Sequence, residues 1–228
     1  MSGRLVVALD TASPAVARAW AEAVAPWCGL VKLGLEYFVA NGPAGVRGIG
    51  DRPVFLDLKL HDIPNTVARA VEAALPLGPR MLTVHASGGP GMIAAARRAT
   101  ELAGVGRPLL LGVTVLTSLD AAVLAAIGIV GGAVEQVLRL GQLAVSAGAD
   151  GLVCSAHEVA ALRAELGKGV KLVVPGSRPL GSEAGDQART MTPEQAVAAG
   201  ADWIVVGRPI TASADPAAAA AAISHVLA

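Results

Sequence analysis

Pro53-Val-Phe-Leu-Asp-Leu-Lys-Leu-His-Asp-Ile-Pro-Asn-Thr66 passes from an apolar run into charge within a few residues. Val54, Leu56 and Leu58 alternate with Phe55, Asp57 and Lys59, so a strand here turns its carboxylate and its ammonium to the same side. Pro64 fits the first turn of a helix and pushes the residue before it out of helical geometry, which puts Asp57, Lys59 and Asp62 where a strand ends. Two carboxylates around one lysine at the end of an apolar strand lose hydration, which is costly unless a task holds them together. Spacing alone leaves two readings open, a catalytic array and a surface salt-bridge cluster, because structural ion pairs perturb pKa values much as catalytic ones do.

Working outward from this strand, further β-type runs are read at Leu5–Leu9, Leu30–Leu33, Met81–His85, Leu109–Val115, Gly151–Cys154, Lys171–Val174 and Trp203–Val206. Helix-forming stretches are read between most of them, at Pro14–Ala25, Pro64–Leu75, Gly91–Leu102, Ala133–Ala147, Ala156–Leu166 and Pro193–Ala199. Strands and helices in alternation predict an α/β fold, a (β/α)8 TIM barrel spanning residues 1–228 as a single domain. Ala144-Val-Ser-Ala-Gly-Ala-Asp-Gly-Leu-Val153 is echoed by Ala196-Val-Ala-Ala-Gly-Ala-Asp-Trp-Ile-Val205, each read as a helix end, a glycine turn and a strand on the non-catalytic face. Gly148 and Gly200 read as helix C-caps, and the alanine-rich Pro216–Ile223 as a final packing helix.

Composition agrees with strands buried on both faces: 54% of the 228 residues are hydrophobic, 16% charged and 3% aromatic. Eighteen basic residues balance 18 acidic ones, so the chain lacks the field that would hold nucleic acid or an anionic membrane, and a small-molecule partner is expected. Cys28 and Cys154 lack metal-ligand spacing and read as buried free thiols. The N-terminal residues lack the pattern of a signal peptide, and no apolar run is long enough to span a bilayer, so a cytoplasmic protein is expected.

Active groups of such a barrel belong at the C-terminal ends of its strands, and the polar residues fall there: Asp10, Lys32, Asp57, Lys59, His85, Thr117, Arg178, Gln187, Gly207 and Arg208. Glycine amides beside an arginine suit a phosphate, and Pro175-Gly-Ser-Arg178 with Gly207-Arg208 places two such pairs on the last two strand ends. Gly207-Arg208 by itself also reads as an ordinary turn. Thr117 and Ser118 also read as an N-cap for a helix over Leu119–Ala126, and Lys32 and Asp10 as a plain pair across neighbouring strands. His61 and His85 read as structural.

On these motifs the chain resembles orotidine 5′-phosphate decarboxylases. The likeness runs from Val7-Ala-Leu-Asp10 through Val31-Lys-Leu-Gly34, Asp57-Leu-Lys-Leu-His-Asp-Ile-Pro-Asn-Thr66 and Val113-Thr-Val-Leu-Thr-Ser118 to Val205-Val-Gly-Arg208. The resemblance implies decarboxylation of orotidine 5′-monophosphate to uridine 5′-monophosphate, the last step of de novo pyrimidine synthesis, with no metal and no cofactor. It implies that Asp57, Lys59 and Asp62 form the catalytic array with Lys59 as proton donor, and that Asp10 and Lys32 hold the ribose hydroxyls. By the same resemblance Asp62 and Thr66 reach into the site of a second subunit of a homodimer, and Thr117 lies beside the pyrimidine. Arg178, Gln187, Gly207 and Arg208 are implied at the phosphate. Ser177 departs from the family, which commonly has an apolar residue before that arginine. Two alternatives stand beside this reading: a metal-dependent phosphosugar enzyme using Asp10, Asp57, Asp62 or His85, and a catalytically silent phosphate-binding barrel.

Overall fold

The structure, a computed structural model, describes residues 3–176 and 191–227. Eight parallel strands close into a barrel in sequential order: β1 (Leu5–Ala8), β2 (Leu30–Leu33), β3 (Val54–Leu60), β4 (Met81–His85), β5 (Leu109–Val113), β6 (Gly151–Val153), β7 (Lys171–Pro175) and β8 (Trp203–Val206). The helices are α1 (Pro14–Val24), α2 (Leu35–Arg47), α3 (Pro64–Ala74), α4 (Gly89–Thr100), α5 (Ala121–Ala126), α6 (Ala133–Ser146), α7 (Val159–Leu166), α8 (Pro193–Ala198), α9 (Arg208–Thr211) and α10 (Pro216–Val226). The (β/α)8 expectation holds, and the strand positions agree with the sequence reading to within a residue or two at each end.

Period-two alternation divides the apolar residues into two cores. Val6, Ala8, Leu30, Phe55, Met81, Leu111, Val173 and Val205 fill the barrel interior. Leu5, Val7, Leu9, Val31, Val54 and Leu56 face outward against the helices, in a cluster with Ala17, Ala21, Val67 and Val71. Phe55, 1% exposed, plugs the interior directly below the polar strand ends. Burying a side chain of that size contributes about 2–3 kcal/mol.

The echoed segments do the same work at the opposite end of the barrel. Gly148 (φ 102°) and Gly200 (φ 113°) each lie one position past a helix C-cap in a backbone conformation that favours glycine. Two positions on, Asp150 accepts from the Leu110 amide at 2.9 Å and from both terminal nitrogens of Arg107 at 2.8 Å. Asp202 repeats the device, accepting from the Leu172 amide at 2.8 Å and from Arg163 at 2.9 Å. Each aspartate thereby ties the start of its strand to the preceding strand.

Four local expectations are corrected. Thr117 and Ser118 do not cap the next helix, because Asp120 accepts from the Val123 amide at 2.9 Å and starts it at Ala121. Helix α2 was not among the helix-forming stretches read from the sequence; Gly42 (φ 58°, ψ −160°) interrupts it ahead of Pro43. The stretch Ala156–Leu166 is a short 3-10 turn followed by α7, since a Ser155–Glu158 capping box shapes its start. Cys154 is buried but Cys28 is only half-buried. The final helix runs to Val226, capped by Asp215 and packed through Ala220 and Ile223.

Candidate active site

The mouth of the barrel opens into a cavity of about 310 Å³. Asp10, Lys32, Asp57, Lys59, Thr117, Gly207 and Arg208 all line it, over a floor that includes Ala8, Phe55 and Val205. These are strand-end residues from β1, β2, β3 and β8 together with the loop after β5, so the barrel itself brings together positions spread over most of the chain.

Within the cavity the charges alternate in sign along a chain of contacts. Lys32 Nζ is 3.2 Å from Asp10 Oδ1 and 3.7 Å from Asp57 Oδ2, and Lys59 Nζ is 2.7 Å from the same Asp57 oxygen. The cross-strand pair of Lys32 and Asp10 therefore exists, and it is part of the cavity wall. Gly34 makes room for it: a Cβ there would lie 3.0 Å from Lys32 Nζ and 3.3 Å from Asp10 Oδ1. Asp57 is 7% exposed, so the carboxylate at the centre of this group is buried and not a surface charge.

Burial is the largest single influence on the Asp57 carboxyl and pushes its pKa up. The nearby Lys32 and Lys59 charges and the hydrogen bonds from Lys59 and Thr83 outweigh it, and the net direction is down. Asp57 is thus a buried carboxylate that stays ionised. His85 moves down, through burial first, then the neighbouring His61 and Lys59, with Asp57 opposing. Its ring stands 5.4 Å from that of His61, centroid to centroid.

The alternation that places Asp57 and Lys59 on one side is right in outcome and incomplete in cause. Leu56 pairs with Leu82 and Leu60 with Val84, so three residues of β3 stand opposite Thr83 alone. Lys59 sits in this bulge at φ 50°, the only positive φ outside glycine among the described residues. A left-handed conformation costs a residue with a side chain about 1–2 kcal/mol, so something must hold it. The Lys59 amide donates to Thr83 Oγ1 at 2.8 Å, and that hydroxyl donates to Asp57 Oδ1 at 3.0 Å.

Thr83 is the residue that the sequence reading missed. The available signal was its polarity within the apolar run Met81–His85, at the position that period two assigns to the barrel interior. Asp62 and Thr66 do not line the cavity; both are exposed, and the Asp62 carboxylate accepts from the Ile63 amide at 2.7 Å. Arg178, Gln187 and Ser177 lie outside the described residues. Among the described residues no group of three or more His, Cys, Asp or Glu side chains is placed to hold a metal ion. No helix among them is long and apolar enough to cross a membrane.

The model of the orotidine 5′-phosphate decarboxylase / HUMPS family matches residues 3–223. The chain belongs to this family. It is 56% identical to the orotidine 5′-phosphate decarboxylase of Gluconobacter oxydans over 229 residues, 99% of this chain and 97% of that one. It is 58% identical to that of Anaeromyxobacter dehalogenans over 225 residues, 98% and 97% of the two chains. A crystal structure of orotidine 5′-phosphate decarboxylase from Lactobacillus acidophilus matches with a TM-score of 0.81 at 37% identity, covering 98% of each chain. Family membership makes the chain a carboxy-lyase of pyrimidine biosynthesis, with orotidine 5′-monophosphate as its small-molecule substrate.

Proposed function

We propose that the chain, residues 1–228 acting as one domain, decarboxylates orotidine 5′-monophosphate to uridine 5′-monophosphate without metal or cofactor, Lys59 donating the proton. The single observation that carries this reading is the Lys59 ammonium, 2.7 Å from a buried carboxylate and facing a cavity of nucleotide-compatible size. When the bond between ring and carboxylate breaks, carbon dioxide leaves and the electron pair stays on the ring carbon. The ammonium stabilises that charge as it develops and then transfers its proton to the same carbon; solvent returns a proton to the lysine.

Repulsion between Asp57 and the substrate carboxylate is too weak to be the main source of catalysis. Two unit charges about 4 Å apart interact by roughly 4 kcal/mol at an effective dielectric near 20, equivalent to about three decades of rate. Preorganised stabilisation of the carbanion supplies the larger share in this account, because Asp10, Lys32, Asp57 and Lys59 hold one another through contacts made by the protein itself.

In the same reading Asp10 and Lys32 take the ribose hydroxyls, and Thr117 the edge of the pyrimidine. Gly207 and Arg208, with Arg178 and Gln187, take the phosphate. Asp62 and Thr66 serve the neighbouring site of a homodimer in the cytoplasm. Their position outside the cavity of their own chain supports this, as does the apolar face beside them: Ile63 is 67% exposed and Leu102 70%. A groove beside them, between α3 and α4, is of mixed character, lined by Pro64, Ala68, Ala95 and Leu102 together with Asn65, Glu72 and Arg98.

Loss of the ultraviolet absorbance of orotidine 5′-monophosphate on addition of exhaustively chelated enzyme tests the proposal. Full turnover is expected. A rate that disappears on chelation and returns with magnesium or zinc would replace this reading by the metal-dependent one.

A further inference from the structure

We propose that Thr83 is a positioning residue for this site: its hydroxyl holds the Lys59 backbone and the Asp57 carboxylate in one arrangement, so that the ammonium is aimed at the reacting carbon. The proposal rests on the reading of Lys59 as proton donor.

The geometry begins with the bulge. Asp57, Leu58 and Lys59 have only Thr83 opposite them on β4, so the backbone ladder cannot continue through Lys59. The side chain of Thr83 fills the gap, receiving the Lys59 amide at 2.8 Å. A backbone amide can only donate, so the one hydroxyl proton of Thr83 is left for Asp57 Oδ1 at 3.0 Å, and the direction of both bonds is fixed. Asp57 Oδ2 meanwhile faces Lys59 Nζ at 2.7 Å. A closed loop results, from the lysine amide through Thr83 and Asp57 back to the same lysine's ammonium. Thr83 is 0% exposed, so removing the hydroxyl strands an amide and a carboxylate oxygen where solvent does not reach. Lys59 alone, among described residues with side chains, holds a positive φ, and the bond from its amide to Thr83 holds it there.

The test compares Thr83→Val, which keeps shape and removes the hydroxyl, with Thr83→Ser, which keeps the hydroxyl. Thr100→Val is the control, since Thr100 is equally buried and its hydroxyl donates to the Arg97 carbonyl at 2.7 Å on α4. For Thr83→Val we expect kcat to fall at least about tenfold while KM and the affinity for uridine 5′-monophosphate stay within about threefold, because the reacting group is misplaced and the ligand contacts are not. The acid limb of its pH–rate profile should move to higher pH, since Asp57 loses a donor while Lys32, Lys59 and His85 remain around it. Thr83→Ser should restore both kcat and the profile.

The proposal is overturned if Thr83→Val keeps kcat within about twofold of wild type, if Thr83→Ser loses as much as Thr83→Val, or if Thr100→Val loses kcat equally. Should Thr83→Val not fold, Thr83→Cys, a weak donor and acceptor, is expected to fall severalfold below Thr83→Ser in kcat; wild-type turnover there also overturns the proposal. Lys59→Ala is measured alongside. Activity in that variant overturns both the proton-donor reading and the proposal built on it, whereas its loss with Thr83→Val unaffected removes the Thr83 role alone.

Discussion

Lys59 Nζ lies 2.7 Å from Asp57 Oδ2, although the two residues are two positions apart on one strand and their side chains would stand parallel in a regular pleat. Lys59 makes this contact from a left-handed backbone, φ 50°, within the bulge of β3. A partly exposed cation is thereby fixed against a buried anion, with Lys32 completing the array at 3.7 Å. The protein's own contacts gather these charges, which is the condition for electrostatic preorganisation.

Phosphate contacts far from the reacting carbon should act on the chemical step. Arg208→Ala is expected to lower kcat as well as raise KM, since Arg208 lines the same cavity as Lys59 and its contact can drive closure around the ring. Added guanidinium cation, which stands in for the missing side chain, should restore part of the turnover of Arg208→Ala. Steady-state kinetics decide: a higher KM with kcat unchanged would mark the contact as uniform binding and contradict the closure argument.

Asp62 is expected to work in the site of the other subunit. Lys59→Ala and Asp62→Ala chains, each inactive, are dissociated together and allowed to form mixed dimers. In a mixed dimer the site of the Asp62→Ala chain keeps its own Lys59 and borrows Asp62, while the other site carries both defects. With random pairing about half the dimers are mixed and one site in two is restored, so roughly a quarter of wild-type activity should return under two-fold symmetry. Demonstrated subunit exchange with no recovered activity would show that Asp62 acts within its own chain.

Much of this was legible in the sequence because the barrel obeys local rules. Leu30–Leu33, Met81–His85 and Trp203–Val206 are strands with the bounds that alternation gives them, and the charged strand ends of β1, β2, β3 and β8 do converge on one cavity. What escaped depended on contacts between elements. Alternation assumes extended backbone, so it could not register that Thr83, from a neighbouring strand, captures the Lys59 amide and lets β3 bulge. Asp120 displaced Thr117 and Ser118 as N-cap because all three are competent caps and sequence does not rank the turns before them. The reach of Asp62 and Thr66 into a second subunit came from the resemblance alone, and the spacing that grouped Asp62 with Asp57 and Lys59 did not show that it lies outside the cavity of its own chain.

The aspartate ties at the far end of the barrel should show as acid-sensitive stability. Burial, the largest influence, raises the Asp150 pKa, but the hydrogen bonds from Arg107 and the Leu110 amide and the charges of Arg107 and Arg97 bring it below the ordinary value. A carboxyl depressed in the folded state contributes stability that is fully present above its unfolded pKa, near 4, and is lost as pH falls through the lower folded value. Asp150→Asn should therefore cost about 2 kcal/mol near neutrality. Denaturant titrations of the two proteins should converge as pH falls through the depressed folded-state value of Asp150, the contribution of Asp57 cancelling because both proteins carry it. A difference that persists undiminished in acid would assign the effect to shape and not to charge.

The central claim is that Lys59, preorganised against Asp57, carries the chemistry, and the turnover of orotidine 5′-monophosphate by Lys59→Ala tests it most directly. The account predicts a loss of kcat of at least about 10⁴-fold, since the variant forfeits both stabilisation of the developing charge and delivery of the proton. The affinity for uridine 5′-monophosphate should change little, and the variant should remain folded at the assay temperature, since Lys32 and Thr83 still face Asp57. A folded Lys59→Ala protein that retains a tenth or more of wild-type kcat, on the order of 1 kcal/mol of barrier, would contradict the account.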